Sequence, residues 1–181
     1  MTAGTAYIVL FRGVGGATQL PVARLREVLP QAGFRNVSTY INSGNAVLSS
    51  PLTEAQVARK VAAAVKEQMG FEKRVLVRSL AEWVKAIEQN PYPDVVAEPT
   101  KLHHFALERE PEAQAVKALQ GKATGAERFV LNGRSLYLHT PDGMGRSLFV
   151  PKIEPTLKVA MTARNWRTVL ALRDMAAAIR P

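Results

Sequence analysis

The sequence contains no cysteine and only three histidines among its 181 residues. Without cysteine there is no disulfide, no thiol nucleophile and no cysteine-ligated metal, and three histidines offer little for a histidine metal site. No stretch approaches the roughly 18 consecutive apolar residues of a membrane helix, and the start of the chain lacks the pattern of a signal peptide. We therefore expect a cytoplasmic globular protein with no metal site and no membrane partner.

Acidic residues are also scarce. The chain has 24 Lys and Arg against 15 Asp and Glu, which gives a net charge of +9. Residues 1–50 carry four Arg and one Glu, and residues 151–181 carry six Lys or Arg and two acidic residues, so the two ends supply most of the excess. Such a balance favours anionic partners, although a basic surface also serves solubility.

The first part of the chain has the order strand, helix, strand, strand, helix, strand. The predicted strands are residues 7–11, 37–41, 46–48 and 74–78. One helix begins at Pro21 and stops at Gly33, and the other has a capping box of Thr53 and Gln56. This order is typical of the ferredoxin-like split β-α-β arrangement.

A similar order begins again after the proline-rich segment at residues 90–94. The sequence predicts a strand at residues 102–107, a helix at 112–119, a hairpin at Asn132-Gly133, a strand at 158–164 and a last helix capped by Asn165. We therefore predict an α+β fold of two ferredoxin-like halves with antiparallel sheets, packed as one compact unit. The predicted divisions are a first half at residues 1–78, a connecting helix and Pro-rich linker at 79–98, and a second, less regular half at 99–181.

In a split β-α-β sheet, the loop after the first strand and the turn between the second and third strands lie at the same edge. Here these are "RGVGG" and "NSGN", so a guanidinium and loop amides would converge in an anion-binding concavity. Each segment alone also fits a tight connection, and "RGVGG" matches neither the dinucleotide nor the P-loop pattern. The predicted ligand-binding residues are Arg12, Gly13, Gly15, Gly16, Asn42, Ser43, Gly44 and Asn45, completed from the second half by Arg146, Lys152, Arg164 and Asn165.

The histidines and tryptophans have simpler interpretations. His103 and His104 are adjacent in a predicted strand, so they point to opposite faces and we expect structural roles. Trp83 and Trp166 lie among helical apolar positions, which favours core packing.

Four segments together resemble a bacterial family known as domain of unknown function 1697. They are "YIVLFRGVGG", "GFRNVSTYINSGNAVLSS", "DGMGRS" and "TARNWRTVLAL", in this order, and the resemblance covers nearly the whole chain. The resemblance implies a duplicated ferredoxin-like α+β protein and no established activity. Members often carry a Lys shortly after the glycine-rich loop, where this chain reads "VGGATQ".

Three functions remain open on the sequence. The first is binding of a small phosphorylated or carboxylated ligand at the loop edge. The second is nucleic-acid binding, which the high charge favours, although Tyr7 and Phe11 are the only aromatic candidates for base stacking on the first strand. The third is a non-catalytic interaction module. No general base, nucleophile or cofactor fingerprint stands out, so catalysis, cofactor and oligomeric state are left open.

Overall fold

The computed structural model describes residues 4–15, 19–123 and 125–180. These residues form eight strands and six α-helices, and the strands make two four-stranded antiparallel sheets. The predicted α+β fold with two ferredoxin-like halves is confirmed. No helix in these ranges has the length and apolar character needed to cross a bilayer.

The first sheet has the strand order β2-β3-β1-β4. Its elements are β1 (Thr5–Phe11), α1 (Val22–Gln31), β2 (Arg35–Thr39), β3 (Asn45–Ser50), α2 (Glu54–Met69) and β4 (Val75–Ser79), followed by α3 (Leu80–Glu88). Its core lies between the sheet and helices α1 and α2, with Val9, Leu29 and Val61 fully buried. The predicted capping box of α2 is present, since the amide N–H of Thr53 donates to Gln56 Oε1 (2.9 Å) and the amide N–H of Gln56 donates to Thr53 Oγ1 (3.4 Å).

The second sheet repeats this order as β6-β7-β5-β8. Its elements are β5 (Leu102–Leu107), α4 (Ala113–Gln120), β6 (Arg128–Asn132), β7 (Ser135–His139), α5 (Val150–Leu157) and β8 (Met161–Asn165), followed by α6 (Trp166–Ala177). Short 3-10 turns occur at Pro93–Val95 and Met144–Arg146. The second half therefore has more regular secondary structure than its sequence pattern predicts.

The chain divides into two compact units, residues 1–87 with 170–181 and residues 88–169. This division differs from the sequence-based boundaries because α3 and α6 each begin in one unit and end in the other. The first unit carries 13 Lys and Arg against 6 Asp and Glu, and the second carries 11 against 9. Most of the excess positive charge therefore belongs to the first unit.

One strand boundary corrects the sequence prediction. Ile41 alternates with Val37 and Thr39 in the sequence, but β2 ends at Thr39. Ile41 instead has φ +46°, a left-handed conformation that interrupts the extended backbone.

Candidate functional site

Four segments of the first unit meet at one edge of its sheet, where β1 and β2 end and β3 and β4 begin. The amide N–H of Phe11 donates to the carbonyl oxygen of Gly44 (2.8 Å), and the amide N–H of Arg12 donates to the carbonyl oxygen of Arg74 (3.0 Å). The loop after β1 is thus held between the β2–β3 turn and the start of β4. We call the region formed by residues 12–15, 40–44 and 73–74 the loop edge.

The β2–β3 turn is fixed from inside by Asn45. This residue is fully buried, and its Nδ2 donates to the carbonyl oxygen of Tyr40 (3.3 Å) and to Ser43 Oγ (3.0 Å). The amide N–H of Tyr40 donates to the carbonyl oxygen of Asn45 (3.1 Å), which closes the turn. Asn45 therefore has a structural role, while Asn42 is exposed at the tip.

Gly44 allows this turn to approach the loop after β1. It has φ +73°, and an added Cβ would lie 2.9 Å from Val14 Cγ2 and 3.0 Å from the Phe11 carbonyl oxygen. Only glycine combines this φ with such a close approach. The glycine of "NSGN" is therefore required by packing.

The loop after β1 places Lys73 beside glycine. Gly13 has φ +72° and Gly15 has φ +138°, and the Lys73 side chain lies against Gly13, with its Cδ 3.6 Å from the site of an added Cβ. Gly16 lies outside the described residues. The Lys73 side chain thus contacts this loop at Gly13, while at both glycines it is the positive φ that favours glycine.

Four cations come to this end of the sheet from three different segments. Arg12 follows β1, Lys73 and Arg74 precede β4, and Arg26 of α1 donates from Nη1 to Thr39 Oγ1 (3.0 Å) at the end of β2. Two acidic residues are chain neighbours of these cations, and each pairs with another base. Glu27 follows Arg26 and lies 2.8 Å from Arg24 Nη1, and the Glu72 carboxylate, next to Lys73, lies 2.7 Å from Lys66 Nζ. That exposed pair raises the pKa of Lys66 and lowers the pKa of Glu72, chiefly through their hydrogen bond.

Helix α1 is the next element after β1, so its first turn lies towards the end of the sheet where β1 ends. Pro21 occupies the N-cap position and has no polar side chain to bond the first amides. No acidic side chain lies in the first turn of this helix. The positive end of this helix dipole is therefore uncompensated by its own residues.

Two of the predicted residues from the second unit lie on its surface. Arg146 lines an open cleft of about 210 Å³ together with Glu127, Asp142 and the exposed Leu148. Lys152 is exposed on α5. The cleft holds two carboxylates beside one guanidinium, so its charge does not favour an anion.

Arg164 and Asn165 make contacts within β8 and at the start of α6. Arg164 Nη1 donates to Thr162 Oγ1 (2.7 Å) and to the carbonyl oxygen of Ala163 (2.8 Å), and burial lowers the pKa of Arg164 to about 10. Asn165 Oδ1 accepts from the amide N–H of Thr168 (3.0 Å) and caps α6 as predicted. Both side chains have structural partners.

The histidines of β5 point to opposite faces of the second sheet. His103 lies on the face that carries Phe105 and Leu107, and its pKa falls to about 4 because it is buried. His104 lies on the other face, opposite Tyr137, with its Nε2 2.9 Å from Ser135 Oγ. In the described part of the chain, no three His, Asp or Glu side chains are grouped closely enough to hold a metal ion.

The aromatic residues of β1 are core residues. Tyr7 is 5% exposed and Phe11 is 1% exposed, and both pack in the core of the first unit. The third strand "AVLSS" has no aromatic residue, and all of β3 is buried. The sheet therefore presents no exposed ring on these strands for a base to stack on.

Sequence reasoning missed Lys73, Arg74 and Arg26 as candidates. Lys73 and Arg74 are distant in sequence from both loops, and the strand order brings them to the loop edge. Arg26 lies on α1 and reaches the end of β2 through its hydrogen bond to Thr39. The predicted topology contained the necessary signal, because β4 runs antiparallel to β1 and therefore begins where β1 ends.

A family model described as protein of unknown function (DUF1697) matches residues 5–137. The solved structure of the conserved bacterial protein SP0830 from Streptococcus pneumoniae is similar to this chain, with a TM-score of 0.75 and 20% sequence identity. The similarity covers 97% of this chain and 99% of that protein, and at this identity it shows a shared fold. No curated protein is significantly similar.

Proposed function

The chain belongs to the DUF1697 family of proteins of unknown function, and we propose that it binds a small phosphorylated or carboxylated ligand at the loop edge. The observation that carries this proposal is the convergence of Arg12, Lys73 and Arg74 beside a glycine-rich loop. A guanidinium binds phosphate or carboxylate oxygens through two parallel hydrogen bonds, and nearby ammonium groups add charge.

The second unit provides an internal comparison for this edge. There the amide N–H of Leu107 donates to the carbonyl oxygen of Arg134 (2.9 Å), and the amide N–H of Glu108 donates to the carbonyl oxygen of Ala160 (2.9 Å). These bonds correspond to those of Phe11 and Arg12, so Glu108 takes the place of Arg12 and Ala160 takes that of Arg74.

This comparison separates the demands of the fold from those of a ligand. The second unit makes the same connection with "EREPE" at residues 108–112, which contains no glycine. The fold therefore does not require a basic, glycine-rich loop after its first strand. A ligand of negative charge supplies a reason for the cations and glycines of the first unit.

The dimensions of the edge suit a small organic anion. Neighbouring strands lie about 4.8 Å apart, so the distance from the β2–β3 turn past β1 to the start of β4 is about 10 Å. Backbone amides of a glycine loop and the start of α1 add dipoles that favour negative charge. Catalysis is no part of this proposal, because the described residues of the loop edge include no nucleophile paired with a general base.

The test is a thermal-shift panel of inorganic phosphate, sugar phosphates, nucleotides and simple dicarboxylates. At a hundredfold excess over its dissociation constant, a ligand stabilises the native state by about 2.7 kcal/mol, or roughly 5 °C or more for a chain of this size. We expect Arg12→Ala to weaken binding of a phosphorylated ligand at least about tenfold, since a charge-assisted bidentate pair is lost.

Arg35→Ala is the matched control for that variant. Arg35 is an exposed arginine of the same unit, but it pairs with Ser49 at the opposite end of β2. Equal losses in the two variants would mean that only net charge matters, which contradicts a site at the loop edge. Binding confined to oligonucleotides, with a steep salt dependence, would favour nucleic-acid binding instead.

A further inference from the structure

Ile41 has an unusual backbone conformation at the tip of the loop edge. Its φ of +46° is left-handed, and a β-branched residue rarely adopts this region because its Cβ crowds the backbone. Its side chain is 55% exposed, so packing in the core does not explain the choice of isoleucine.

The turn enforces this conformation from both sides. Asn45 Nδ2 bonds the carbonyl oxygen of Tyr40, and the Phe11 amide bonds the carbonyl oxygen of Gly44. Gly44 is buried, and the space beside it towards Val14 and Phe11 is too small for a side chain. Ile41 is thus held in a fixed position, exposed to solvent, by residues that are themselves buried or bonded.

The other non-glycine residues with positive φ in the described ranges have local explanations. Asn36 tolerates this region, and its Nδ2 donates to Ser49 Oγ (3.0 Å). Lys158 ends helix α5 in the left-handed position usual after a helix. Ile41 neither makes a side-chain hydrogen bond of this kind nor ends a helix, and backbone strain of this type is concentrated at ligand-binding positions.

We infer that Ile41 is the apolar contact for the ligand of the loop edge, and that this ligand is an organic anion carrying an aromatic or aliphatic group beside its phosphate or carboxylate. The inference rests on the proposed function and narrows its substrate class. Ile41 follows β2, which lies two strand spacings, about 10 Å, from β1. A small molecule whose anionic group binds the long side chain of Arg12 can therefore reach Ile41 with its apolar group. A rigid apolar side chain increases the affinity for a ligand because it loses no conformational freedom on binding.

The test compares phenyl phosphate with methyl phosphate by isothermal titration calorimetry on the whole chain. Both carry the same anionic group, and only phenyl phosphate carries a ring that can cover Ile41. We expect phenyl phosphate to bind the wild type about tenfold more tightly, as burial of the exposed parts of the ring and Ile41 predicts. In Ile41→Asn this preference, measured as the ratio of the two dissociation constants, is expected to fall to about twofold or less.

Asparagine is the chosen replacement because it tolerates positive φ and removes the apolar surface. Ile41→Asn is therefore expected to melt at or above the wild-type temperature, so lost affinity would not reflect unfolding. Lys158→Gly is the matched control, since it relieves a positive φ away from the loop edge, and it is expected to keep the tenfold preference.

Three results would overturn the inference. Equal affinity of the wild type for the two phosphates would remove the apolar contact while leaving the proposed anion site intact. An unchanged preference in Ile41→Asn would assign the contact to another residue. If neither phosphate bound and no carboxylate did, the proposed function itself would fail, and this inference with it.

Discussion

At the residue scale, the second unit carries one buried and one half-buried ionisable group, and the two differ in what surrounds them. His103 is 8% exposed and lies on the face of the sheet that holds Phe105, and burial lowers its pKa to about 4. Desolvation lowers the pKa of the half-buried Arg164 to about 10, which is still well above neutral pH, and its Nη1 donates to two oxygens of its own strand. His103 is thus neutral in the folded protein, and Arg164 is charged.

The buried His103 predicts a loss of stability in acid. Its folded pKa of about 4 lies below the value of 6.5 for an unfolded histidine, so the unfolded state binds the proton more readily. The stabilising contribution is complete above pH 6.5 and declines as the pH falls towards 4. Between pH 7 and pH 4 this amounts to about 3 kcal/mol, from about 1.36 kcal/mol for each pKa unit.

Urea unfolding at a series of pH values checks this prediction against His103→Gln, which cannot titrate in this range. The free energy of unfolding of the wild type is expected to fall by about 3 kcal/mol relative to the variant. Parallel pH profiles for the two proteins would show that His103 is not the group responsible. The comparison uses only the change of the free energy of unfolding with pH. A loss of stability that the substitution causes equally at every pH therefore does not affect it.

The roles of single residues in the β2–β3 turn were only partly predictable from the sequence. The sequence pattern predicts that "NSGN" is a turn and that it lies beside the glycine loop, and the backbone bonds of Phe11 agree. It does not reveal that Asn45 is fully buried or that Gly44 touches Val14, because those facts depend on contacts across β3 and β1. The alternation of Ile41 with Thr39 predicts a strand through Ile41, whereas β2 ends at Thr39.

At the scale of elements, the β2–β3 turn and the loop after β1 form one packed structure through Gly44. Gly44→Ala is expected to lose about 1 kcal/mol for its positive φ and a further 1 to 3 kcal/mol, roughly, for the collision with Phe11 and Val14. Because the Phe11 atom is a backbone oxygen, the collision is not relieved by a change of rotamer.

Gly70→Ala measures the cost of a positive φ without the cost of a collision. Gly70 has φ +66°, but an added Cβ there meets no atom within 4 Å. We expect chemical denaturation to show a loss of about 1 kcal/mol for Gly70→Ala and at least twice that for Gly44→Ala. Equal losses would mean that the turn is not packed against the loop.

Helix α5 shows why the second half looked less regular in sequence than in structure. Pro151 lies in its first turn and Pro155 in its interior, and proline usually marks turns. The helix also ends at Lys158 rather than at a glycine. By contrast, the apolar run of β5 and the Asn132-Gly133 hairpin carry strong local signals, and the structure has both where the sequence predicts them.

At the scale of the whole molecule, the two units show which features the fold requires. Both have the same strand order and the same pair of backbone hydrogen bonds at the end of their first strand. The strand order is set by local patterns and is readable from the sequence. Most of the charge excess and the glycine-rich loop belong to the first unit, so they reflect something other than the fold.

The measurement that tests the central claim most directly is a titration of the isotope-labelled protein with inorganic phosphate, followed by amide chemical shifts. We predict saturating shifts concentrated at residues 12–15, 41–44 and 73–74, with the corresponding residues 108–112 and 132–134 of the second unit unchanged. Saturating shifts around Arg146, or weak shifts spread over the surface without saturation, would contradict an anion site at the loop edge.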